Sequence, residues 1–135
     1  AIKKKQETIN RMSAKLKSAP KYIFAGWDDK SGTYPEQDGK SVSYIAQIHD
    51  EGLGYHTRKD LIKNTYDDHG AEWAELYASE VNKAIHKGKL PNYYRIAEKV
   101  GERMKYDLEN YVRVRDLVDT QRLANSVIIR YKRRD

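Results

Sequence analysis

The sequence predicts an α+β domain in which a small antiparallel or mixed sheet packs against two long amphipathic helices. A basic helix comes first and a strand comes last. Three observations carry this. Two stretches between residues 57 and 111 hold an apolar stripe at helical spacing over many turns. A short apolar run, Tyr22-Ile23-Phe24-Ala25, lies between Pro20 and Gly26. The chain then ends in period-two alternation, with Val127, Ile129 and Tyr131 on one face and Ile128, Arg130 and Lys132 on the other.

Residues 2 to 17 place Ile2, Ile9, Met12 and Leu16 at helical spacing among lysines and arginines, which reads as a basic amphipathic helix stopped by Pro20. Residues 27–41 are poor in apolar side chains and include Asp28, Asp29, Gly32, Pro35 and the turn pair Asp38-Gly39. A long flexible polar loop or an extended hairpin is expected there. Val42, Ile45 and Ile48 form a short helical stripe ended by Gly52. Thr57, with Asp60 three residues on, predicts the cap of the next helix, whose apolar face runs Ile62, Tyr66, His69, Trp73, Leu76, Tyr77, Val81, Ala84 and Ile85. Pro91 opens another, with a stripe of Tyr93, Ala97, Val100, Met104, Leu108 and Tyr111. Asp119 and Thr120 are placed to cap one further turn ending near Asn125, before the terminal strand. Internal repeats are absent.

Length and composition narrow the class. At 135 residues one domain is expected, spanning 1–135 and burying roughly two-thirds of its extended surface without staples. There is no cysteine, so neither a disulfide nor a thiol nucleophile is available. No apolar run approaches the ~18 residues a membrane span needs, so no membrane partner is expected. Twenty-six Lys and Arg against twenty Asp and Glu give a net charge of +6, which favours acidic partners but is spread along the chain. Eleven tyrosines against one phenylalanine suit surfaces that become buried when subunits meet, or a half-wet core.

Catalytic and metal motifs fail one by one. His49, Asp50 and Glu51 are consecutive on a helix and therefore diverge, which leaves His56 without a ligand set. A calcium loop with Gly32 at its sixth position would put Trp27 at the first ligand position, where an acid is required. Ser41, Ser43, Ser79 and Ser126 have no adjacent histidine and carboxylate, and no glycine-rich phosphate cradle follows a strand. The expectation is a protein that is not an enzyme and takes no metal or cofactor. A terminal strand must have its backbone groups paired, either by closing a sheet or by joining a neighbour, which points to assembly. Candidate partner-binding residues are Val127, Ile129 and Tyr131 on that strand, with Tyr34, Asp38 and Gly39 in the polar segment. A second reading is a nucleic-acid-binding accessory protein, contacting phosphate through Arg130, Lys132, Arg133 and Arg134.

The order of parts, with Ala46-x-x-His49-Asp50-Glu51-Gly52 and Leu117-Val118-Asp119-Thr120-x-x-Leu123-x-x-Ser126-Val127, resembles the tail-completion, or head–tail joining, family of long-tailed bacteriophages. Members of that family typically carry an Ala-x-x-His-Glu-Phe-Gly-like segment and a C-terminal Leu-Ile-Asp-Thr-Gly-x-Leu-x-x-Ser-Ile segment. Gln121 stands where the family has glycine. The resemblance implies a structural virion protein of the neck, assembled in the host cytoplasm as a homo-oligomeric, sixfold ring. Its implied partners are head connector or adaptor proteins on one side and tail tube or tail terminator proteins on the other, with DNA passing through the channel.

Overall fold

A computed structural model describes residues 2–34, 39–52, 60–115, 117 and 120–132, with the side chains at 12, 15, 16, 18 and 132 outside the description. The fold is α+β, with two small antiparallel sheets and two long helices packed together. In chain order the elements are α1 (Ile2–Ser18), β1 (Tyr22–Gly26), a 3-10 turn (Asp29–Ser31), β2 (Thr33–Tyr34), β3 (Lys40–Ser41), α2 (Val42–Glu51), α3 (Leu61–His86), α4 (Tyr93–Arg113), α5 (Thr120–Asn125) and β4 (Ile128–Lys132).

The terminal strand closes a sheet within its own subunit. β4 runs antiparallel to β1, with Tyr22 opposite Lys132, Phe24 opposite Arg130 and Gly26 opposite Ile128. Cross-strand partners share a face, so Ile23, Ala25, Ile129 and Tyr131 lie together on the other side. That side rests on α4 at Gly101. A Cβ built there would lie 2.8 Å from Ile129 Cγ2 and 2.9 Å from Tyr131 Oη, so glycine lets the strand approach the helix.

Residues 27–41 contain more order than their composition suggests. Asp28 caps the 3-10 turn, its carboxylate accepting from Lys30 N while its own N–H donates to Ser31 Oγ. Thr33 and Tyr34 then pair with Ser41 and Lys40, and Gly39, in the left-handed region at φ 72°, donates its N–H to Tyr34 O. Tyr34 is fully buried and belongs to the core with Val42, Ile45 and Leu123. Of the two forms expected for this segment, a flexible loop or an extended hairpin, its described flanks take the hairpin. Asp38 lies outside the described residues.

Helix α2 starts where Ser41 Oγ accepts from Tyr44 N and stops at Gly52, whose left-handed backbone donates to Ile48 O. The start of α3 departs from the sequence reading. Thr57 lies outside the described residues, and the helix begins after Asp60, itself in the left-handed region at φ 48° with no side-chain cap bond. The cap comes from another element: Asp50, near the end of α2, accepts from Ile62 N at 3.1 Å.

The apolar face assigned to α3 also needs correction. Ile62, Tyr66 and Ile85 are exposed, whereas the buried residues are Leu61 and Thr65, the latter satisfying its hydroxyl on Leu61 O. Trp73, Leu76, Tyr77, Val81 and Ala84 are half-buried. The reason is coverage: both α2 and α4 pack on α3, but the α2 contact is small and α4 provides most of the cover, so much of the stripe stays half open. In α4 the predicted Ala97, Val100 and Leu108 are buried, while Tyr93, Met104 and Tyr111 are half-buried. Ile96, Gly101, Asp107 and Val112 are buried as well, because α4 is covered by α3 and also by β1, β4 and α5.

Candidate functional site

The described residues proposed for partner contact separate into three groups once placed. Val127 and Tyr34 are consumed by the subunit's own core, so their side chains are withdrawn from any neighbour. Ile129 and Tyr131 are half-buried on α4, where the Tyr131 ring lies 5.6 Å from that of Tyr94. Burial, with Glu98 and Glu102 nearby, pushes the Tyr131 hydroxyl above the ordinary tyrosine value. Gly39 is exposed at the hairpin turn. Among the described residues the strand therefore keeps one backbone edge and its outer face outside the β1 pairing, while its inner side chains pack on α4.

Among the basic candidates, Arg130 donates through Nε to Asp28 at 3.1 Å, tying β4 to the 3-10 turn and partly neutralising its charge. Lys132 pairs with Tyr22 through the strand register. Arg133 and Arg134 lie outside the described residues. Of these four side chains, the described one, Arg130, is held by Asp28, and those of Lys132, Arg133 and Arg134 lie outside the description.

Two features were not read from the sequence. Trp27 donates its indole N–H to Leu123 O at 2.9 Å, fixing the start of the polar segment to α5. The second is a polar clasp between the long helices. The Asp107 carboxylate, 4% exposed, accepts from Trp73 Nε1 at 2.7 Å and from Arg103 Nε at 3.2 Å, and His69 Nδ1 stands 3.8 Å away. His69 also meets Glu72 at 3.3 Å. His69, Glu72 and Asp107 have the donor types to hold a divalent ion, with ligand atoms within 4.8 Å of one another. Arg103 already supplies positive charge to both carboxylates, so the group reads as a satisfied interhelical network. His69 and Glu72, at i and i+3, were the one local sign of it; Asp107 arrives from the other helix.

His49 and Asp50 serve the fold: His49 is buried and Asp50 caps α3, while Glu51 is exposed. Elsewhere on the surface lie exposed Ile2, Ile9, Tyr22, Phe24, Tyr66, Tyr94 and Tyr106. Among the described residues, no helix is long and apolar enough to cross a membrane. Compared with protein-family models, with curated proteins and with solved structures, the chain matches none.

Proposed function

We propose that this chain is a structural assembly protein of a long-tailed bacteriophage, forming a ring at the neck between head connector and tail. The observation that carries the reading is where the two resembling segments fall. Ala46 of α2 and Leu117, Leu123 and Val127 of the C-terminal segment belong to one buried cluster. The likeness therefore lies in residues that build the core, which supports a shared fold more than a shared contact surface. The surface left over suits assembly. The β1–β4 ribbon has one paired edge per strand among the described residues, and open edges recruit neighbouring strands. Exposed tyrosines on α3 and α4 add area of the kind enriched at interfaces.

The function is binding rather than turnover: rigid helices hold position while edges and outer faces engage copies and partners. Negative-stain microscopy and sedimentation of the purified chain, from low to high salt, test this. Closed rings that persist at high salt are expected, since contacts with apolar centres resist screening. A monomer whose DNA affinity collapses with salt would instead favour the nucleic-acid reading.

A further inference from the structure

Two exposed features of this subunit are complementary and are not filled by one another within it. The first is a groove between β1, α2 and the start of α3, lined chiefly by Phe24, Trp27, Ala46, Asp50, Glu51 and Ile62. Its charged lining residues are both acidic, and Phe24 and Ile62 are 41% and 42% exposed along it. The second is α1. Lys3, Lys4, Lys5, Arg11 and Lys17 on this helix are all exposed, against the single acid Glu7. Ile2 and Ile9 are 85% and 56% exposed, and their seven-residue spacing sets them on one face about 10 Å apart.

A basic helix with a bare isoleucine face matches an acidic groove with a bare aromatic and aliphatic floor. Among the described residues the subunit's own α1 does not supply the match, because the groove's lining comes from β1, α2 and α3 and the residue following β1. The connection from Ser18 to Tyr22 is three residues long, with Ala19 buried and Pro20 half-buried, and α1 itself packs on α4. We propose that the groove receives α1 from a second copy of this chain. Donor and acceptor are different surfaces, so the contact is head-to-tail and propagates to a closed ring when its rotation closes. The inference rests on the assembly reading and names its contact.

The test uses the full chain in two variants, one carrying Ile2→Glu with Ile9→Glu and the other Ile62→Glu. Each variant alone should associate at least about tenfold more weakly than the native chain, because each puts a charge into the apolar contact. Mixed one to one, they should form dimers, since the intact α1 of one meets the intact groove of the other. A charge pair gives an independent check: Glu51→Lys and Lys5→Glu should each weaken association, and a mixture of the two should recover part of it. Native-like assembly by both apolar variants, or a mixture that stays monomeric, overturns the proposal while leaving the ring reading intact if the native chain forms rings. A native chain that remains monomeric overturns both. Binding of a monomeric native chain to anionic vesicles or DNA, lost in Lys4→Glu with Lys5→Glu, would assign α1 to a phosphate surface and also overturn it.

Discussion

Replacing Gly101 by alanine probes the contact that turns the terminal strand inward. The new Cβ would stand 2.8 Å from Ile129 Cγ2 and 2.9 Å from Tyr131 Oη. Carbon atoms prefer about 3.5–4.0 Å, so the strand or the helix must give by roughly an ångström. The Tyr131 hydroxyl is the far end of a long side chain and can swing away. Ile129 Cγ2 is next to the backbone of a strand held at five register positions by β1, so it cannot. Overpacking of this kind costs about 1–3 kcal/mol, against a gain of about 1 kcal/mol for removing glycine from a helix interior. The net expectation is destabilisation of about 0–2 kcal/mol. In an Ile129→Ala background the obstructing methyl is gone, and Gly101→Ala should become neutral or stabilising by up to about 1 kcal/mol. Urea midpoints of the four chains give the coupling, expected near 2 kcal/mol. Additivity within about 0.5 kcal/mol would show that Ile129 does not press on α4, and would refute the inward packing.

Three further outcomes follow from the same geometry. Trp73→Phe removes a donor from buried Asp107 and should cost about 1–3 kcal/mol in denaturant stability; an unchanged midpoint would dissolve the interhelical clasp. Asp50→Ala should cost about 0.5–2 kcal/mol and loosen the first turn of α3, seen as faster amide exchange at Ile62, whereas native protection there would place the cap elsewhere. Tyr131 has a hydroxyl raised above 10.0 in the fold, so its contribution is present below that value and lost as pH rises past it towards the folded value. Native stability should therefore fall more steeply above pH 10 than that of Tyr131→Phe; identical slopes would contradict the desolvation.

What the sequence made legible was whatever local chemistry decides. Gly52 ends α2 because its left-handed backbone is read from one residue, and the alternation of 127–132 announces a strand whoever its partner is. Partnership was not legible. Whether the terminal strand joins β1 or a neighbour depends on where a residue run more than a hundred positions earlier has been folded. The face of α3 was misread because periodicity groups alike residues without saying which turns are covered, and α2 covers little of that helix. Gly101 and Asp107 lie outside the predicted stripe of α4, yet one is the seat of the strand and the other the anchor of Trp73. The cap of α3 was placed on Thr57 because local patterns cannot see Asp50 arriving from the preceding helix.

The proposed joining of heads to tails is tested most directly by where the chain sits in a particle. Virions made from a genome encoding the chain with a small affinity tag can be labelled with gold against that tag and imaged by electron microscopy. Gold is expected at the neck, between head and tail, with separate unjoined heads and tails when the gene is deleted. Unlabelled particles that join normally without the gene would contradict it.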